Sequence, residues 1–136
     1  MTAMAPVSGD LTQRLRATVA QVPGLALLVL HGSRARGSAR PDSDWDFAYL
    51  GDPDLDADTL LAVIAETLGA DRIDLADLSR AGALLRFRVA EKADVIFERD
   101  ASLFDRFWLD AVHTWCDLAP VLLPAYDTML DKASTR

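Results

Sequence analysis

The 136-residue chain is 51% apolar and 26% charged, the balance of one ordinary globular domain with enough chain for a core without covalent staples. Its formal net charge of −7 argues against direct binding to a nucleic-acid backbone, where cationic patches supply most of the affinity, and leaves room for a small phosphate ligand held through metal ions. The single cysteine, Cys116, excludes an internal disulfide and fits a reducing, cytoplasmic compartment, while no apolar run approaches the ~20 residues of a membrane span.

Residues 1–8 read as a disordered start without the features of a secretory signal. Leu11, Leu15 and Val19 recur every fourth position, which predicts a helix over 9–22 closed by Pro23 and Gly24. LALLVL, residues 25–30, is an apolar run of strand length bounded by turn residues, as a buried strand would be. DWDFAYL, residues 44–50, alternates: Asp44, Asp46 and Ala48 fall on one face, Trp45, Phe47 and Tyr49 on the other. A loop, GDPDLD, precedes a helix over 57–68 with Leu60, Leu61, Ile64 and Leu68 on one stripe and Gly69 as its stop. RIDLADL, residues 72–78, reads as a third strand, residues 80–91 as a helix, and ADVIFER as a short fourth strand. From residue 101, Phe104, Phe107, Trp108, Ala111, Val112 and Trp115 recur at spacings of three and four, an amphipathic helix. Pro120 and Pro124 are expected to break or kink the chain beyond that helix, and residues 131–136 to fray. The order predicts an α/β fold: one small mixed sheet flanked by helices, a single domain over residues 9–130.

Chemistry concentrates between the first two strands. Gly32 and Ser33 follow the first strand, and a glycine-bearing turn lets backbone N–H groups and a hydroxyl approach phosphate oxygens, although an ordinary turn has the same look. Asp44 and Asp46, at i and i+2 on a strand, project from one face and repel each other. A divalent cation relieves that repulsion, and Mg²⁺ takes oxygen ligands from few carboxylates plus substrate phosphates; a solvated acidic strand face is the plain alternative. If Ile73 and Leu75 pack inward, Asp74 joins the polar face as a third carboxylate, with Asp77 its alternate. Three carboxylates could hold two Mg²⁺ ions bridged to a triphosphate, and Asp74 could also accept the proton of an incoming hydroxyl.

Gly32-Ser33, ten intervening residues and Asp44-Trp45-Asp46 resemble the G-S-x10-D-x-D signature of the nucleotidyltransferase superfamily with the DNA polymerase β fold. The run GSRARGSARPDSDWDF is similar to the minimal nucleotidyltransferases, the MNT-domain proteins, and RIDLADL resembles their later strand with the third carboxylate. The resemblance implies that Gly32 and Ser33 bind the triphosphate, that Asp44, Asp46 and Asp74 hold Mg²⁺ and are catalytic, and that ATP is the nucleotide. It further implies a HEPN-domain toxin as partner in a hetero-oligomer, with AMP moved from ATP onto a tyrosine hydroxyl of that toxin. Two other readings remain: an antitoxin that only masks the toxin, and nucleotidyl transfer to a small molecule.

Arg34, Arg36 and Arg40 are candidates to steer or clamp phosphates, Arg36 as the nucleotide-binding one. His31, where these relatives often carry an aromatic, reads as a strand-end residue packed at the turn, and His113 as structural. Cys116 reads as a small core residue. Trp108 and Trp115 read as core or interface, Asp94 and Glu98 as acidic surface.

Overall fold

The structure, a computed structural model, describes residues 9–37 and 43–134, with only the backbone described for Arg36 and for 126–134. The elements in chain order are α1 (Gly9–Val19), β1 (Leu25–His31), α2 (Gly32–Arg36), β2 (Trp45–Gly51), α3 (Ala57–Leu68), β3 (Ile73–Asp77), α4 (Ala83–Lys92), β4 (Asp94–Glu98) and α5 (Leu103–Ser134). The strands form one sheet in the order β3-β2-β1-β4. β1 is antiparallel to β2 and β4, and β2 is parallel to β3. The parallel pair needs a crossover, and α3 supplies it. Asp56 starts that helix by accepting the Asp58 N–H at 3.0 Å and the Thr59 hydroxyl at 3.1 Å.

The uninterrupted apolar run Leu25–Leu30 is explained by its position. It is one of the two inner strands, buried from Leu25 to Leu30 and covered on both faces. On one face Leu28, Leu30 and Phe47 pack with Leu15 and Val19 of α1 and Leu60 and Ile64 of α3. On the other, Leu27, Val29 and Ala48 pack with Val89 and Ala90 of α4 and Phe107 and Ala111 of α5. The helices therefore sandwich the sheet.

That second cover corrects one expectation. The face shared by Asp46 and Asp74 also carries Ala48 and Ala76, and it is no open polar face: α4 and α5 lie on it. The alanines permit that close approach. At the end of the strands where the aspartates stand, Asp46 is half-buried and Asp74 exposed.

Helix α5 also departs from expectation. It runs through Pro120 and Pro124 to Ser134, past residue 130 and into the stretch expected to fray. Each proline removes one i→i−4 donor, leaving the carbonyls of Cys116 and Pro120 without an intrahelical N–H. Both residues are exposed, so water can meet that need. Cys116 is exposed rather than core, and so is His113. Trp115 stacks on Phe87 of α4 with ring centroids 5.4 Å apart, whereas Trp108 is 41% exposed. Glu98 is no idle surface acid: it accepts the Phe104 N–H at 3.0 Å and so caps the start of α5. Among the described residues no helix is long and apolar enough to cross a membrane.

Candidate active site

β1 ends at His31, directly opposite Asp46 on β2. The chain then turns at Gly32 with φ +75°, the left-handed region that side chains avoid, and a Cβ built there would run into the Asp46 carboxylate. Glycine is demanded twice, by dihedral and by space. The five-residue α2 follows, and the Gly37 N–H donates to the Ser33 carbonyl at its end. Ser33 is half-buried in its first turn.

The arginines divide. Arg34 lies with its guanidinium 3.9 Å from the Trp45 ring centroid and donates to the Ser43 carbonyl from Nη2 at 2.9 Å and Nε at 3.3 Å. It ties α2 to the approach of β2, which is structural work in place of the expected phosphate steering. Arg36 closes α2, its side chain outside the described residues, and Arg40 lies outside them altogether.

The parallel register sets Asp46 of β2 opposite Asp74 of β3 and Phe47 opposite Leu75. Asp46 and Asp74 therefore share a face, as alternation anticipated, with Asp46 half-buried and Asp74 exposed. Asp44 is different. It was expected on the strand but lies one residue before it, its Oδ1 3.5 Å from Arg72 Nε. The Trp45 N–H donates to the Arg72 carbonyl at 2.9 Å, which holds the two segments side by side. Among the described residues no three His, Cys, Asp or Glu side chains are grouped so as to hold a metal ion as they stand. The donor set still suits a hard cation: oxygens only, two in register, with the backbone pressed close at Gly32. Recruiting Asp44 is cheap, because its pair with Arg72 is 63–64% exposed, and such pairs are worth about 0–1 kcal/mol.

Asp77 serves another end. Its Oδ1 accepts the Ser79 N–H at 2.9 Å and the Ser79 hydroxyl at 2.7 Å, closing the turn after β3. Sequence reasoning passed over Arg72 and Arg34 as partners of Asp44 and Trp45, since only the strand register and the turn bring them together. It also passed over Arg88 and Lys92 of α4, which line a cleft with His31 and Gly32. Their i, i+4 spacing was readable, but not the direction α4 faces.

A glycine turn pressed against the Asp46 carboxylate, with Asp44 just before that strand and a parallel neighbour contributing Asp74, makes a site suited to nucleotidyl transfer. The chain belongs to the polymerase β nucleotidyltransferase family: the family profile "Polymerase beta, Nucleotidyltransferase" matches residues 13–102. One relative is the protein adenylyltransferase MntA of Aphanizomenon flos-aquae (strain 2012/KM1/D3), 31% identical over 75% of this chain and 76% of its own. The fold is shared with a chain in the crystal structure of a toxin–antitoxin with AMP-PNP, at 23% identity and TM-score 0.69, covering 90% of this chain and 99% of that one. It is shared too with a chain in the structure of the tri-AMPylated Shewanella oneidensis HEPN toxin in complex with MNT antitoxin, at 21% identity and TM-score 0.63, covering 87% of this chain and 98% of that one.

Proposed function

We propose that this chain is a Mg²⁺-dependent adenylyltransferase that moves AMP from ATP onto a tyrosine hydroxyl of a partner HEPN toxin and thereby acts as its antitoxin. The observation that carries the reading is the convergence of Gly32, Asp46 and Asp74 at one end of the sheet. The relationship to the protein adenylyltransferase MntA supports adenylyl transfer to a protein, and the tri-AMPylated HEPN toxin bound to an MNT antitoxin of the same fold supports a toxin of that kind as the acceptor.

In the transfer, the tyrosine oxygen attacks the α-phosphorus of ATP, the bond to the bridging oxygen of the β-phosphate breaks, and pyrophosphate departs. The hydroxyl proton passes to a carboxylate, and the exposure of Asp74 supports it in that role. Gly32 and Ser33 bind the triphosphate through backbone and hydroxyl, with Arg36 beside them. Asp44, Asp46 and Asp74 would hold two Mg²⁺ ions, which when bound neutralise phosphate charge and polarise the reacting phosphorus. A hard cation also answers the repulsion between Asp46 and Asp74.

The test uses the purified partner and ATP labelled either in the α- or in the γ-phosphate. Label should reach the toxin from the α-position alone and only with Mg²⁺ present. Label arriving from the γ-position would make the protein a kinase, and stoichiometric silencing of the toxin without any label would make it a masking antitoxin.

A further inference from the structure

We infer that Tyr49 is a self-adenylylation site, its hydroxyl receiving AMP from the ATP-loaded site of a second copy of this chain; this rests on the nucleotidyl-transfer reading above. The parallel register of β2 and β3 sets Tyr49 directly opposite Asp77. The Tyr49 ring packs against the core shared with α1 and α3. The same residue lines an open cleft of about 620 Å³ at the far end of the sheet, together with Asp77, Ser79 and Arg80. A tyrosine hydroxyl anchored by its ring at the wall of a cleft is an acceptor of the chemical class that the transfer uses. The cleft also falls within the roughly 300–1,000 Å³ of small-ligand pockets, so it has room for the AMP that Tyr49 would carry.

Three neighbours complete the acceptor. Asp77 acts on the Tyr49 hydroxyl by charge and by hydrogen bonding, which pairs a nucleophile with a base. The base is oriented in turn, since its Oδ1 accepts the Ser79 N–H at 2.9 Å and the Ser79 hydroxyl at 2.7 Å. Arg80 Nε stands 3.7 Å from Asp77 Oδ2 on a side chain 89% exposed, and its charge also reaches the Tyr49 hydroxyl. That guanidinium can meet the phosphate as it joins the ring oxygen. Burial first, and Asp77 second, keep Tyr49 protonated above the ordinary tyrosine range, so attack needs a base at hand. The Tyr49 oxygen bonds to the α-phosphorus of ATP, the bond to the bridging oxygen of the β-phosphate breaks, pyrophosphate leaves and the phenolic proton passes to Asp77. The chain's own site cannot be the donor. Asp46 lies three residues back along β2, about 10 Å away, and alternation puts it on the opposite face of the sheet, the one that α4 and α5 cover.

Intact mass of the full chain after incubation with ATP and Mg²⁺, with and without the purified HEPN partner, tests the assignment. The variant Tyr49→Phe keeps the ring in the core and removes only the hydroxyl. Wild type should gain the mass of AMP, and Tyr49→Phe should gain none while modifying the partner at the wild-type rate. Asp46→Asn, which keeps the acceptor and loses the site, should gain AMP when mixed with Tyr49→Phe and none when alone. A mass gain that survives in Tyr49→Phe would overturn the assignment, and so would an Asp46→Asn chain that stays unmodified in the mixture. The two readings separate cleanly. A wild type that modifies the partner and never itself keeps the function and ends the self-adenylylation. A wild type that modifies itself at Tyr49 and never the partner keeps the inference and ends the toxin as acceptor. Transfer to neither ends both.

Discussion

The two ends of the β2–β3 pair use the same residue type in opposite ways. At the start of the strands Asp46 and Asp74 face each other in register, an arrangement that costs the fold electrostatic energy. At the far end Asp77 and Asp52 are held by hydrogen bonds and an ion pair. Asp77 accepts two hydrogen bonds from Ser79, and Asp52 pairs with Arg99 at 2.9 Å, whose hydrogen bonds hold its carboxyl below the usual range. Asp74 and Asp77 are three residues apart on one strand, yet one faces another carboxylate and the other closes a turn. An aspartate that local structure satisfies contributes stability. One set against another carboxylate beside a glycine turn stands where a hard cation would lower the electrostatic cost.

The largest effect should come from Asp46→Asn. AMP transfer should fall to background, while the melting temperature holds or rises because a repulsive charge is gone. A variant that unfolds, by circular dichroism, would class Asp46 with the structural acids of the far end. Gly32→Ala should come next, damaging both fold and site. A side chain at positive φ costs roughly 1–2 kcal/mol, and the added Cβ displaces the Asp46 carboxylate. Wild-type ATP affinity in this variant would mean that the close approach has no functional weight.

Asp77→Ala should lose about 0.5–1.5 kcal/mol of stability with the turn hydrogen bonds. It should also mark its neighbour. Tyr49 is raised above the ordinary tyrosine value, first by burial and then by the Asp77 carboxylate. The variant should let Tyr49 ionise at lower pH in an absorbance titration, though burial keeps it above an exposed tyrosine. An unmoved titration would detach Asp77 from Tyr49.

The smallest effect concerns Asp94, which starts β4 opposite Leu30 at the same end as Gly32. Burial raises its carboxyl above the usual value. A raised acid favours folding while protonated and loses that advantage as pH rises through its folded value. Asp94→Asn should therefore melt slightly higher than wild type at neutral pH, with the gain shrinking as the pH falls into the carboxylate range. A constant gain across pH would point to packing instead of charge.

Much of this was readable from the sequence because the periodicities were clean. The alternation of Trp45, Phe47 and Tyr49 against Asp46 and Ala48, and of Ile73 and Leu75 against Asp74, correctly set two acids on one face of the sheet. The spacing from Gly32 to Asp46 carried the family. The features that escaped notice lacked a period of their own. GSRAR has no apolar stripe, so α2 was invisible, and Arg34 passed for a phosphate ligand when Trp45 and Ser43 hold it. Ala48 and Ala76 passed for members of a polar face, although small residues are what allow helices to pack on a sheet. Asp44 looked like a strand residue because alternation cannot tell where pairing begins. Pro120 and Pro124 marked a break that an exposed helix tolerates.

The contrast between Asp74 and Asp77 tests the central claim most directly, because the two acids differ in the end of the sheet they serve. Asp74→Ala and Asp77→Ala are incubated with ATP, Mg²⁺ and the purified HEPN partner, and AMP addition is followed by intact mass. Asp74→Ala should transfer roughly 10²–10⁴-fold more slowly, the span that a positioned proton acceptor contributes, while Asp77→Ala should match wild type once folded. An inactive Asp77→Ala beside an active Asp74→Ala would move the chemistry to the other end of the sheet and contradict a site built on Gly32, Asp46 and Asp74.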